Sequence, residues 1–362
     1  MADAPTIQAD LLRDFMRAVF ERQGVAPDAA ADAAEVLLWA SLRGVDTHGV
    51  RNLLPLYTKL IGQQVIDPAA APEIEYETPF SARANGNCGL GLSASCWAMR
   101  LAIAKAKVCG TGMVTMRNSY HFGAAGYYPW LALEHDMIGL SMTARFYARG
   151  AELGVLPTFG AKPMFSTNPI AVSFPTQEEA PYLLDMATSI TPYNRIAKLR
   201  DAGESIPLGW GLDGEGRPST DPSVIKQLLP LGGTHELGGH KGYGLSMMTE
   251  VLCAVLSGGW AAIQDEDETS FDGHRQFNDG HFFAAIRIDA FRPVDEFKRG
   301  MDAMIRALHA APKEPGQPRI YVAGEIEHET EQTRRRDGIP LSSTVVNDLR
   351  ELAARFDVEP VV

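Results

Sequence analysis

Cysteine is sparse in this chain, and the four present (Cys88, Cys96, Cys109 and Cys253) show neither C-x-x-C spacing nor a disulfide framework. That excludes a disulfide-stapled scaffold and points to a reducing compartment. No apolar run reaches the ~18 residues that a membrane span requires. The opening Met1-Ala2-Asp3-Ala4-Pro5 has no basic n-region and no apolar h-region, so no secretory signal is expected. Positive charge is in deficit, 33 Lys and Arg against 45 Asp and Glu, for a net charge of −12. This balance argues against a nucleic-acid or anionic-membrane partner while leaving room for a local basic pocket. Internal repeats and low-complexity tracts are also missing. The expectation is a soluble, cytoplasmic protein.

Familiar chemical fingerprints are missing too. Gly86-Asn-Cys-Gly89-Leu-Gly91 reverses the G-x-G-x-x-G order and lacks a preceding strand, so a Rossmann turn is not supported. His235 and His240 stand five apart, and glycines break the helix that an H-E-x-x-H zinc site needs. Neither a G-x-S-x-G elbow nor a P-loop occurs.

What is present is a globular chain of 362 residues, 45% hydrophobic and 22% charged, long enough for roughly two domains. Leu11, Leu12, Phe15, Met16 and Val19 recur at helical spacing before Gly24. A second helix is predicted from an Asp28 N-cap, with Ala33, Val36, Leu37 and Ala40 on one face, and a third carries Leu53, Leu54, Leu56, Tyr57 and Leu60. From about residue 75 the texture becomes α/β. A helix over 93–107 precedes a strand over 113–116, and further short strands are predicted over 138–143, 170–174, 182–184 and 281–288. Helices follow over 241–256, 294–309 and 344–356. The acidic run 265–268 reads as a solvated loop.

Four stretches carry candidate chemistry. Asp46-Thr47-His48-Gly49-Val50-Arg51 places an imidazole and a guanidinium in the link between two helices. Alone, such a His-Gly pair reads by default as a turn with a solvated or capping histidine. His121 follows the 113–116 strand, where α/β sheets line their ligand crevices, or it caps the next helix. Thr167 and Asn168 enter a strand, where they suit a carboxamide or ribose contact or an Asx turn, and Asp185 ends the next strand, where it suits sugar hydroxyls or the orienting of an imidazolium. Gly238 to Gly244, with His240 and Lys241, opens the 241–256 helix as an anion site suited to a pyrophosphate, or as a flexible loop with a chance lysine.

With these motifs in order, the chain resembles the type 2 malate/L-lactate dehydrogenase family, which includes sulfolactate dehydrogenases and cyclic imino-acid reductases. The resemblance runs nearly end to end, through Gly44 to Gly49, Asn118 to Tyr128, Thr167-Asn168-Pro169, Asp185 to Ser189, Gly209-Trp210, Thr220-Asp221-Pro222, His240-Lys241-Gly242, Ala323-Gly324-Glu325 and Arg336 to Ile339. It implies an α/β fold whose central mixed sheet binds NAD or NADP without Rossmann topology, with a helical domain built from both chain ends. The implied division is 1–75 helical, 76–293 α/β and catalytic, and 294–362 helical, in a homodimer. The implied activity is hydride transfer between nicotinamide and C2 of a small 2-hydroxy or 2-keto acid. His48 and His121 match the family's two active-site histidines, one as acid/base and the other orienting substrate. Cofactor contacts map to Thr167, Asn168, Pro181, Leu183, Leu184, Asp185, Met186, Ala187, His240, Lys241, Gly324 and Glu325.

Two departures stand out. The family's carboxylate-binding arginine lies four residues after the loop histidine, where this chain has Asn52, and Arg51 is instead rotated by about 100° on a helix. The segment 145–157 is longer than usual and offers Arg145, Tyr147 and Arg149 as substrate-binding replacements. The alternatives are reduction of a cyclic imino acid, a metal-dependent hydrolase or lyase using His235, His240, Asp272 and His274, and a non-catalytic nucleotide binder.

Overall fold

The computed structural model describes residues 5–145, 154–259 and 279–362. Tyr147, Arg149, the acidic run 265–268, Asp272 and His274 lie outside the described residues.

Helix α1 (Ala9–Arg22) buries Leu12, Phe15, Met16, Val19 and Phe20 at i, i+3, i+4, i+7 and i+8, while Leu11 points to solvent. Each such side chain contributes roughly 1.5–3 kcal/mol on burial. Helix α2 (Pro27–Leu42) starts two residues earlier than an Asp28 N-cap implies. Pro27, with no N–H to leave unbonded, takes the first helical position, and Asp28 falls inside the first turn. The helix is buried almost all round because α1 covers one side and the helix behind the sheet covers the other. The expected third helix is irregular: a 3-10 turn (Val50–Asn52), a π-helical stretch (Leu53–Thr58) around Pro55, then α3 (Lys59–Gly62).

The central sheet has seven strands among the described residues, in the order β2 (Glu73–Glu77), β3 (Ser81–Asn85), β4 (Thr111–Ser119), β10 (Asp279–Arg287), β5 (Met137–Ala144), β6 (Ile170–Phe174) and β7 (Tyr182–Met186). Only β3 and β4 pair in parallel, joined by α4 (Gly91–Cys109); every other pairing is antiparallel. Strand β10 is central, with Phe283 opposite Val114 on one side and Ser141 on the other. Its residues are buried without alternation through Ala285, because helices cover both faces. α5 (Tyr127–Leu133) lies against β5, and α7 (Gly239–Glu250) continues as a π-helical turn packed on β10.

Between β7 and α7, α6 (Tyr193–Asp201) and the ribbon of β8 (Gly211–Leu212) and β9 (Gln227–Leu228) enclose a small core of Val155, Phe165, Ile196, Ile206, Ile225 and Leu228. After α8 (Val294–His309) come α9 (Glu325–Asp337) and α10 (Ser343–Phe356), and the chain ends meet. β1 (Thr6–Ile7) pairs with β11 (Ile339–Pro340), α10 packs on α1, and α9 packs on α2.

One buried acid is poised by this packing. Glu250, ending α7, accepts from Asn168 Nδ2 at 3.0 Å through Oε2, while Oε1 has no partner among the described residues. Burial pushes its carboxyl up to about 7, the Asn168 bond opposing and Asp279 adding to the shift. The folded state therefore holds the proton more tightly than the unfolded chain, and stability falls as pH rises from the ordinary glutamate value to about 7. Glu250→Gln keeps an acceptor for Asn168 and removes the charge. It is expected to raise stability at pH 8 by up to about 3 kcal/mol and to change little at pH 5, read from denaturant midpoints at both values.

Candidate active site

The loop carrying His48 is fixed from three sides. Arg334 on α9 grips the Asp46 carboxylate with both terminal nitrogens (2.6 and 3.2 Å) and donates to Ser41 O at 2.5 Å. Asn52 Nδ2 donates to Thr47 O at 2.8 Å. At Gly49 the loop presses onto α2: a Cβ there would lie 2.3 Å from Ser41 Oγ, which accepts the Val50 N–H at 3.0 Å. The glycine of the motif is thus a packing requirement.

This clamp sets His48 beside His121, the two rings stacked with centroids 5.5 Å apart and planes 14° from parallel. His48 Nδ1 lies 2.9 Å from Thr47 Oγ1. His121 Nδ1 lies 2.7 Å from the hydroxyl of fully buried Tyr57 and accepts the Gly123 N–H at 3.2 Å. Burial lowers the pKa of His48. That of His121 falls well below the histidine range, first through burial and then through the charges of His48, Arg145 and His281. Both imidazoles are therefore biased to the neutral form, the one able to take a proton.

The His48 loop borders a cleft of about 500 Å³, whose walls include Trp39, Arg43, Thr47, Gly123 to Ala125, Thr167, Leu183 to Asp185, Ala187, Ala323, Gly324 and Glu327. Asp185, in β7, presents its side chain to this cleft. Burial pushes its carboxyl up to about 6, opposed by the Gly126 N–H that donates to Oδ2 at 2.7 Å, with Glu327 raising and Arg43 lowering it. Arg43 is a buried cation, bound to Glu331 at 2.9 Å and to Gly324 O at 3.1 Å. Its guanidinium lies 5.0 and 4.9 Å from the Trp39 and Trp130 ring centres.

Of the residues singled out from sequence, the structure brings together His48, His121, Thr167, Leu183, Leu184, Asp185, Ala187 and Gly324 in and beside this cleft. Others lie elsewhere in this chain. Asn168 is fully buried and works as an internal brace, donating to Ser246 O and Glu250 while its Oδ1 faces the Arg145 N–H. Glu325 is turned to Val322 N, Arg319 and His309. Pro181 and Met186 do not border the cleft, and neither do His240 and Lys241, which are exposed. The glycines before α7 serve close backbone packing, since a Cβ on Gly239 would lie 2.0 Å from Gly233 O. Arg51 is exposed, and Asn52 is committed to Thr47 O. Arg145, directly after β5, is bound through Nε to Asp279 Oδ1, and its charge acts on His121, Tyr120 and His281.

Several site residues escaped the sequence reading. Tyr57 has the spacing of helix core, His281 lies in an expected strand, and Trp39 and Arg43 stand in no motif that points to chemistry. His281 is buried against Phe122 (ring centres 4.8 Å apart), Nδ1 is 2.8 Å from Thr143 Oγ1, and burial pushes its pKa down to about 4. Among the described residues no three His, Cys, Asp or Glu side chains gather as a metal-ligand set; His235 and His240 are exposed neighbours with ring centres 5.0 Å apart.

A family-level comparison matches residues 7–350 to malate/L-lactate dehydrogenase. The chain belongs to the malate/L-lactate dehydrogenase family. It is 40% identical over 360 residues to a malate dehydrogenase of Pyrococcus horikoshii, covering 98% of this chain and 96% of that one. A delta(1)-pyrroline-2-carboxylate/delta(1)-piperideine-2-carboxylate reductase of Pseudomonas putida is 33% identical over 251 residues, 68% of this chain and 70% of that one. The crystal structure of malate dehydrogenase from Entamoeba histolytica superimposes with a TM-score of 0.89 at 36% identity, covering 98% of this chain and 99% of that one. As a member of the malate/L-lactate dehydrogenase family the chain is an oxidoreductase that works with a nicotinamide cofactor, and no helix of its described residues is long and apolar enough to cross a membrane.

Proposed function

We propose that this member of the malate/L-lactate dehydrogenase family interconverts a small 2-hydroxy acid and its 2-keto acid with NAD or NADP. The observation that carries the reading is the stacked His48–His121 pair beside a cleft walled by small and apolar groups. The cleft residues fit such a cofactor: Ala124, Ala125, Ala187 and Ala323 offer a narrow apolar slot, and Thr167 and Asp185 offer groups for a carboxamide and ribose hydroxyls. When bound, the nicotinamide supplies or accepts the hydride at substrate C2.

The protein's part is proton handling and orientation. In oxidation a neutral imidazole takes the hydroxyl proton as C2 loses hydride, and in reduction the protonated ring returns it. Arg145 is proposed to hold the substrate carboxylate so that C2–H faces the nicotinamide. The finer reading also has the cofactor on a mostly antiparallel sheet without a Rossmann turn, in a cytoplasmic homodimer divided at about residues 75 and 293.

A second reading, reduction of a cyclic imino acid, is favoured by the similarity to the Pseudomonas putida reductase. It needs the same histidine pair, the proton going to nitrogen. A panel of 2-keto and cyclic imino acids offered with NADH and with NADPH separates the two, followed by loss of reduced-nicotinamide absorbance. Turnover of a 2-keto acid such as oxaloacetate is the expected result, and oxidation with no member of the panel overturns the reading.

A further inference from the structure

We propose that Tyr57, together with the backbone N–H of Gly123, is a positioning residue that locks His121 in its Nε2–H tautomer. His121 then acts as a fixed hydrogen-bond donor to the substrate oxygen, and proton exchange falls to His48. The inference rests on the hydride-transfer reading above and deepens it by giving the two histidines different work.

The argument begins at one nitrogen. The Gly123 amide lies 3.2 Å from His121 Nδ1, and an amide N–H can only donate. Nδ1 therefore carries a lone pair, and the Tyr57 hydroxyl at 2.7 Å donates to it as well. Protonating Nδ1 would set its N–H against the amide N–H, so the ring proton stays on Nε2, which no described residue hydrogen-bonds. Tyr57 is itself fully buried, which raises its own pKa well above the phenol range and keeps the hydroxyl protonated.

His48 has the opposite environment. Its Nδ1 partner is the Thr47 hydroxyl at 2.9 Å, which rotates to donate to a neutral ring or accept from a protonated one. Both charge states are thereby hydrogen-bonded. Two stacked imidazolium rings at 5.5 Å would repel each other, so a neutral His121 also leaves His48 free to charge. The charged and titratable groups acting on His121 reinforce the assignment. His48, Arg145 and His281 all disfavour its cation, while the nearby carboxylate of Asp279 is bound to Arg145.

The full-length protein labelled with 15N-histidine tests this directly. Nitrogen–proton spectra across a pH titration are expected to show His121 as an Nε2–H imidazole that does not titrate where His48 does. A His121 carrying its proton on Nδ1, or titrating while His48 stays fixed, overturns the proposal without any variant being made. Tyr57→Phe removes only the hydroxyl. It is expected to mix the two His121 tautomers and lower kcat roughly 10- to 100-fold with KM for the keto acid changed less than about threefold. Unchanged tautomer and unchanged kcat in this variant overturn Tyr57's role. If the protein oxidises NADH with no keto or imino acid, the activity reading fails while the His121 spectrum still supports or overturns the lock.

Discussion

Replacing His48 with glutamine lowers kcat by roughly 10²- to 10⁴-fold, the usual contribution of a positioned acid/base group, and leaves nicotinamide binding close to that of the unaltered protein. The cofactor term is nearly untouched because the cleft walls remain. Glutamine keeps an amide donor and similar volume, but it cannot take or return a proton at neutral pH. The same replacement at His121 provides the contrast, since an amide N–H still donates to the substrate oxygen there. Turnover falls in His121→Gln too, yet its pH dependence survives, whereas His48→Gln loses it.

The direction of that pH dependence follows from the lowered His48 pKa. Oxidation needs the neutral ring, so its rate holds at pH values below the ordinary histidine range and drops only beneath the depressed pKa. Reduction needs the protonated ring and rises as pH falls through the same value. Steady-state kcat/KM measured in both directions, with NADH affinity followed by fluorescence, checks all of this. A His48→Gln enzyme with undiminished turnover, or a His121→Gln enzyme that alone loses the pH dependence, overturns the assignment.

What the sequence reveals of the fold and the site depends on how far each residue sits from its partners. His48 and His121 announced themselves because each lies in a short polar motif at an element's end, and Asp185 because it ends a strand. Five of the seven strands are visible as apolar runs, four of them with boundaries that shift by one to three residues, whereas β2 and β3, with the mostly polar or small sequences of Glu73–Glu77 and Ser81–Asn85, give no such run. The order β4–β10–β5 was not visible, since β10 returns from more than a hundred residues downstream to sit between two consecutive strands. Arg43 was hidden for the same reason: its carboxylate partner, Glu331, is 288 residues away. Tyr57 was concealed by its company, since an aromatic among leucines at helical spacing reads as core, and only the fold brings its hydroxyl to His121. The glycine-rich start of α7 is ambiguous in sequence, because tight backbone packing and close ligand approach demand the same residue.

Arg145→Gln should raise KM for the keto acid roughly 100-fold, with Arg51→Ala leaving it unchanged. The carboxylate of a 2-keto acid needs a cation near the histidine pair, and a charge-assisted pair lost to a neutral group costs about 1.5–3 kcal/mol. Arg51 is exposed, and Asn52, at the position where the family carries its arginine, is already bonded to Thr47 O. Arg145 is the guanidinium whose charge acts on His121. The single replacement has a second consequence, however. Asp279 is buried and bound to Arg145, and stripping away the cation leaves an uncompensated carboxylate, a loss of about 3–5 kcal/mol in stability. A raised KM in Arg145→Gln alone would not distinguish a lost clamp from a loosened site. The double variant Arg145→Gln/Asp279→Asn removes both charges and keeps hydrogen-bonding groups at both positions. It is expected to recover most of the melting temperature while KM stays high. Recovery of KM together with stability would mean that Arg145 serves only to neutralise Asp279, and the carboxylate clamp would have to be sought among other cations of the protein.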